Sequence, residues 1–174
     1  VATYFGDSQT KITSVTVEDS VTIIEEKAFY GCTSLKLLII GESVTSIGEK
    51  PFYLCTNVAT LTLGTPLLGL TKDFVATYFG DSQTKITSVT VGNSVKSIGE
   101  NAFHSCSSLK TVSIPNSVTS IGYQAFYDCS SLETVSIPDS VTSIGERAFQ
   151  SCTSLETVSI GNSVTSIGER AFQL

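Results

Sequence analysis

One repeat unit accounts for most of this 174-residue chain. The segments 94–116, 117–139 and 140–162 follow one another in the same frame, and the last two are nearly identical. A period of this length indicates a solenoid, in which each repeat forms one coil and packs only against its neighbours. Because a single coil cannot bury its apolar residues alone, the stacked coils must share one continuous core.

Each repeat contains a short run of the form L-x-x-V-x-I. Its apolar residues alternate with Ser or Thr, the period-2 pattern of a strand with one buried face. These runs recur at the period of the repeat, except that the interval from Val58 to Ile86 is longer. We therefore predict a single solenoid domain over residues 1–174 with about seven coils. The predicted strand runs are 12–17, 35–40, 58–63, 86–91, 109–114, 132–137 and 155–160.

The longer interval places an insertion in the coil around residues 66–91. The stretch VATYFGDSQTKITSVTV occurs at 1–17 and again at 75–91, so the first coil is expected to carry the same insertion. We predict insertion loops at 4–10 and 78–84. Their aromatic side chains are candidate contacts with a partner: Tyr4, Phe5, Tyr78 and Phe79.

A second apolar run follows each strand, as in Val141 to Gly145, and its β-branched residues predict another short extended segment. The next four residues, Glu146 to Phe149, have helix-compatible side chains with an acid in the first turn. We predict one turn of α- or 3₁₀-helix there.

Two ladders of identical residues are predicted to lie in the core. Cys32, Cys55, Cys106, Cys129 and Cys152 share one position of the repeat, and a phenylalanine stands three residues before each of them. Side chains in register point in parallel into a core, so we expect buried thiols rather than disulfides. A zinc site needs ligands that converge, which this spacing does not provide.

The composition argues against catalysis and against nucleic-acid binding. The formal net charge is -6, the ten Lys and Arg residues are scattered, and His104 is the one histidine. We predict no enzyme activity, no cofactor, no metal, no nucleic-acid partner and no membrane insertion. Glu26, Glu49, Glu100, Glu146 and Glu169 stack on one repeat position and are interpreted as a solvated charge ladder, with a calcium site as the alternative.

The outward positions of the predicted strands form rows of hydroxyl side chains. These rows are the candidate ligand-binding face, for a protein or alternatively a glycan. Leu37 and Ile39 interrupt the rows, which disfavours a third interpretation, ice binding. Tyr30, Tyr53, Tyr127 and His104 are alternative recognition side chains. The hydroxyl residues of the face are Ser14, Thr16, Thr60, Thr62, Ser88, Thr90, Thr111, Ser113, Thr134, Ser136, Thr157 and Ser159.

The repeat resembles the BspA-like leucine-rich repeat family of bacterial and protist surface proteins. The residues that carry the resemblance are Leu132 to Pro138, Val141 to Gly145 and Ala148 to Cys152. It implies an α/β-type repeat solenoid that is mostly β, with a parallel sheet on the concave face and short 3₁₀ or extended convex segments. Gln9 and Gln83 stand where the family has cysteine.

The resemblance also implies a function and a location. The chain is expected to be a non-enzymatic adhesion module that binds host or extracellular-matrix protein, at the cell surface or in the extracellular space. The alternative is a structural segment that self-associates as a homo-oligomer through uncapped solenoid ends, because open coils expose apolar rungs and unpaired strand edges.

Overall fold

The computed structural model describes residues 11–80 and 85–174. Its main feature is a seven-stranded parallel sheet whose strands pair in chain order, one strand from each coil. With strands numbered along the chain, these are β1 (Ser14–Val17), β3 (Leu37–Ile40), β5 (Thr60–Leu63), β6 (Ser88–Val91), β8 (Thr111–Ser113), β10 (Thr134–Ile137) and β12 (Thr157–Ile160). The predicted fold class is confirmed, because each L-x-x-V-x-I run supplies one strand.

Equivalent residues of successive coils face each other across this sheet. Thr134 pairs with Thr157 and Val135 with Val158, a shift of one repeat. The register is maintained across the longer interval, where Thr60 pairs with Ser88. The described residues of the insertion, 66–80, therefore lie outside the sheet, and the rows on its face run without a break in register.

A second side of six of the seven described coils carries a strand of two residues. These short strands form one parallel sheet of four and another of two. They are β2 (Ile23–Ile24), β4 (Ser46–Ile47), β7 (Ser97–Ile98), β9 (Ser120–Ile121), β11 (Ser143–Ile144) and β13 (Ser166–Ile167).

The third side of the regular coils is built from tight turns. Arg147, Phe149 and Ser151 donate backbone N–H groups to the next coil, at N···O distances of 2.9, 2.7 and 2.8 Å. Arg147 and Ser151 have φ angles of 56° and 62°, the left-handed conformation. Every second N–H group of this segment therefore bonds to a carbonyl of the next coil and not to a carbonyl within the segment, as a helix would require. The predicted helical turn at 146–149 is wrong for this reason.

The core contains the two predicted ladders. Successive phenylalanines stack with ring centroids 5.0 to 5.5 Å apart, as between Phe126 and Phe149. All five cysteines lie within the described residues, are buried and form no disulfide. The stacked rings and the thiols fill the space between the long sheet and the turns.

The insertion forms two short helices, α1 (Leu67–Leu70) and α2 (Phe74–Phe79). Helix α1 occupies the place of a short strand, and the Leu68 carbonyl accepts the N–H of Gly99 at 3.0 Å. It separates the two short sheets, because the coil between β4 and β7 contributes α1 instead of a strand.

The predicted contact role of Tyr78 and Phe79 is wrong. Tyr78 is 6% exposed and Phe79 is 1% exposed. The ring of Phe79 stacks on Phe52 with centroids 5.1 Å apart, and Tyr78 packs edge-on against Phe74 at 4.9 Å. These aromatics are core because α2 turns them inward to continue the phenylalanine stack. The equivalent prediction for Tyr4 and Phe5 lies outside the described residues.

The coil of β12 and β13 exposes positions that the preceding coil buries. Val158, Ile160 and Ile167 are 37%, 41% and 51% exposed. Their equivalents one coil earlier, Val135, Ile137 and Ile144, are buried under this last described coil. No helix of the described residues has the length and apolar character that crossing a membrane requires.

Candidate functional site

The outer face of the seven-stranded sheet carries the predicted hydroxyl rows. In β10, Thr134 and Ser136 are exposed while Val135 and Ile137 are buried, and this alternation recurs along the sheet. All twelve hydroxyl residues predicted for the face lie on it and none is buried. The geometry follows from strand pleating, which sends successive side chains to opposite faces.

The face is not uniform, because β3 presents two large apolar side chains on it. Leu37 and Ile39 are half-exposed, and they lie in register with Ser14 and Thr16 on one side and with Thr60 and Thr62 on the other. We refer to Leu37 and Ile39 as the apolar patch.

Charged side chains stand at the two ends of the apolar patch. Lys36 precedes β3 and Glu42 follows it, and both are exposed. The Glu42 carboxylate accepts a hydrogen bond from the Ser94 hydroxyl. The backbone N–H of Glu42 donates to Asp19 Oδ1 at 3.1 Å. The patch therefore has a cation at one end and an anion at the other.

The opposite half of the sheet ends in an open groove of about 660 Å³. It crosses the carboxyl ends of β8, β10 and β12. Its lining includes the serine row Ser113, Ser136 and Ser159 and the turn residues Asn116, Asp139 and Asn162. We call this feature the polar groove. Sequence reasoning identified the serines but missed the turn residues, whose signal was the recurrence of Asn or Asp at this position in five of the seven coils.

The alternative recognition aromatics lie on the turn side, away from the sheet face. Tyr30 stacks on Tyr53 with centroids 5.6 Å apart, and His104 stacks on Tyr127 at 4.9 Å. Lys50 Nζ lies 5.5 Å from the centroid of the Tyr53 ring. Each of these rings turns one face toward its neighbour, and His104 is exposed while the three tyrosines are half-buried.

The glutamate ladder forms ion pairs along the turn side. Glu146 pairs with Arg147 at 3.3 Å, and Glu169 with Arg170 at 3.2 Å. The hydrogen bond and charge of Lys27 lower the pKa of the Glu26 carboxyl. Among the described residues, no group of three or more His, Cys, Asp or Glu side chains is arranged to hold a metal ion. These contacts support the interpretation as a solvated charge ladder.

The buried cysteines are poor nucleophiles. Burial raises the pKa of the Cys55 and Cys106 thiols to about 12 and that of Cys152 to about 11. Reactive cysteines instead have lowered pKa values and some exposure. The cysteine ladder belongs to the core and not to a site.

Comparison with known proteins identifies the family. The family model described as "BspA type Leucine rich repeat region" matches this chain in six copies, over residues 3–74 and 74–174. The chain belongs to this family. The match includes all seven strands of the sheet and therefore both the apolar patch and the polar groove.

Solved structures of bacterial leucine-rich repeat proteins share the fold of this family member. A protein from Bacteroides ovatus superposes with a TM-score of 0.65 at 23% identity, over 94% of this chain and 46% of that one. A leucine-rich repeat protein of T. pallidum gives 0.61 at 28% identity, over 90% and 73%. A leucine rich cell surface protein from Faecalibacterium prausnitzii gives 0.53 at 30% identity, over 89% and 39%. A search of curated proteins finds no significant match.

This chain spans less than half the length of two of these relatives. It spans 46% of the Bacteroides ovatus protein and 39% of the Faecalibacterium prausnitzii protein. The likeness extends over the repeat region that this chain provides.

Proposed function

We propose that this chain is a non-enzymatic module that binds host or extracellular-matrix protein at the cell surface, through the outer face of the seven-stranded sheet. The observation that carries the proposal is the exposed face itself, with rows of side chains in unbroken register across seven strands. Solenoids of this kind use such extended surfaces for binding. The localisation is supported by the family and by the relative named as a cell surface protein.

The apolar patch is the proposed anchor for the partner. Interfaces draw most of their binding energy from a few residues that are fully desolvated, surrounded by contacts that exclude water. Leu37 and Ile39 are the large apolar side chains of the outer face, and hydroxyl residues flank them on β1 and β5. Lys36 and Glu42 would orient a partner that carries opposite charges.

The test measures binding of the chain to immobilised extracellular-matrix proteins by biolayer interferometry. The variant Leu37→Thr/Ile39→Thr gives β3 the hydroxyl residues that β5 carries, so the fold should be retained. We expect saturable binding by the chain and at least tenfold weaker binding by the variant. Thr45→Ser, at an exposed position on the short-strand side, is the control and should bind like the parent. Absence of saturable binding to any matrix protein would contradict the proposal.

Self-association is the second candidate. It is supported by the exposure of Val158, Ile160 and Ile167, which another coil or a second copy would cover. Sedimentation velocity over a wide concentration range should then show dimers that Ile167→Lys weakens. A monomer at all concentrations would remove this candidate and leave the protein-binding proposal untouched.

A further inference from the structure

The polar groove has the size of a ligand site. Its volume of about 660 Å³ falls within the range of roughly 300–1,000 Å³ that is usual for small-molecule sites. It lies over β8, β10 and β12, several strands away from the apolar patch on β3. The two features can therefore be tested independently.

The groove is lined by hydroxyl and amide groups with one carboxylate. The serine row provides hydroxyls that donate and accept, and Asn116 and Asn162 provide amides. Asp139 is the one charged residue of the lining, and no lysine or arginine contributes to it. At the opposite ends of β8, β10 and β12 stand Lys110, Glu133 and Glu156, all exposed, so the carboxylates outnumber the ammonium group around this half of the sheet. An anionic ligand would be repelled here, whereas a neutral ligand with many hydroxyls would find matching partners.

Of these polar groups, the Asp139 carboxylate links two coils, whereas the side chains of Ser136 and Asn116 do not. On the short-strand side, Thr119 and Thr142 hydroxyls donate to carbonyls of the preceding coil at 3.0 and 3.2 Å. By contrast, the side chains of Ser136 and Asn116 make no hydrogen bond to any described residue. Asp139 Oδ1 accepts the N–H of Asn162 at 2.7 Å, which leaves the second carboxylate oxygen available.

The polar side chains of the groove recur once per strand. Ser136 and Ser159 are register partners, so the serines and the turn residues behind them recur at the strand spacing of about 4.8 Å. The rings of an extended sugar chain recur over a similar length. Ile114 and Pro138 add apolar surface, against which the C–H face of a sugar ring can pack.

We propose that the polar groove binds a neutral, linear glycan that lies across β8, β10 and β12. Successive sugar units would hydrogen-bond to successive pairs of a serine and the Asn or Asp behind it. This inference does not rest on the protein-binding proposal, because it concerns another half of the sheet and another class of ligand.

The experiment titrates the chain with neutral linear hexasaccharides of glucose, mannose, galactose and N-acetylglucosamine, and with sulfated and uronic-acid hexasaccharides, by isothermal calorimetry. We expect at least one neutral hexasaccharide to bind and the anionic ones not to bind. Affinity should change little with salt, because no ion pair is involved. The double variant Asn116→Ala/Ser136→Ala should bind about tenfold more weakly, because it removes two side chains that would hydrogen-bond to the glycan.

The control variant is Thr45→Ala, which removes an exposed hydroxyl from the short-strand side, away from the sheet face. It should bind the neutral hexasaccharide like the parent chain, and thermal unfolding should show that all variants remain folded. The proposal is overturned if no neutral hexasaccharide binds, if the anionic ones bind better, or if Thr45→Ala weakens binding as much as the double variant. None of these results bears on matrix-protein binding at the apolar patch.

Discussion

The Cys129 thiol donates a hydrogen bond to the backbone carbonyl of Phe103 in the preceding coil, with Sγ and O 3.2 Å apart. The same contact links Cys152 to Phe126 at 3.2 Å and Cys55 to Phe29 at 3.1 Å. The cysteine therefore fills space in the core and also connects consecutive coils. This second role explains why cysteine occupies the position instead of a purely apolar residue.

Replacing Cys129 by alanine should destabilise the fold. The change removes a thiol donor and leaves a small cavity in a fully buried site. We expect the free energy of unfolding to fall by about 1–3 kcal/mol, measured by chemical denaturation. Ser107→Ala, at an exposed site, is the control and should change it by less than about 0.5 kcal/mol. Equal stability of the two variants would show that the thiol contact contributes nothing.

Alkaline pH should destabilise the protein through its thiols. Burial raises the pKa of Cys55 and Cys106 from 9.0 to about 12, so the folded state keeps protons that the unfolded state releases. This contribution to the free energy of unfolding is complete below pH 9 and is lost as the pH rises toward about 12. Urea denaturation at a series of pH values should show that the free energy of unfolding falls less steeply with pH for Cys106→Ala than for the parent chain. A parallel loss in the variant would contradict the assignment to this thiol.

Gly145 should not tolerate a side chain. A Cβ atom there would lie 2.5 Å from the Gly122 carbonyl carbon and 2.6 Å from its oxygen, in the backbone of the preceding coil. Gly145→Ala should therefore lower the free energy of unfolding by about 1–3 kcal/mol. The matched control is Gly31→Ser, because serine occupies the equivalent left-handed position at Ser105 and Ser151. Thermal denaturation that ranks the two variants equally would refute the close coil packing.

Phe79→Ala should lower the free energy of unfolding as much as the same substitution at a stacked phenylalanine of a regular coil. The ring is buried and stacks on Phe52, so its loss should lower the free energy of unfolding by about 3–5 kcal/mol. Ala76→Ser changes an exposed position of the same helix and should have little effect on denaturation. If Phe79→Ala is as mild as Ala76→Ser, helix α2 does not form part of the core.

The repeat pattern made most of the fold predictable. The alternation in Leu132 to Ile137 indicated the strand and its outward face, and the shared position of the cysteines indicated their burial. Both features follow from stacking alone, because a residue repeated at a buried position must meet its own copy in the next coil. The hydroxyl rows on the sheet face were predictable for the same reason.

The turns and the insertion were not predictable from residue types. Glu146 to Phe149 has helix-forming side chains, but Arg147 adopts a left-handed conformation so that its N–H can bond to the next coil. Phe79 lies in the coil that departs from the regular repeat, so the repeat pattern did not indicate its position. In the structure, helix α2 places its ring in the phenylalanine stack. In both places contacts between coils override local preference.

The central claim is that the outer face of the seven-stranded sheet binds the partner. Affinity for a bound matrix protein should be compared between Thr60→Lys, on that face beside the apolar patch, and Thr45→Lys, on the short-strand side where Lys96 is the native equivalent. We predict that Thr60→Lys weakens binding at least tenfold and that Thr45→Lys leaves it unchanged. Loss of binding by Thr45→Lys with retention by Thr60→Lys would contradict the account.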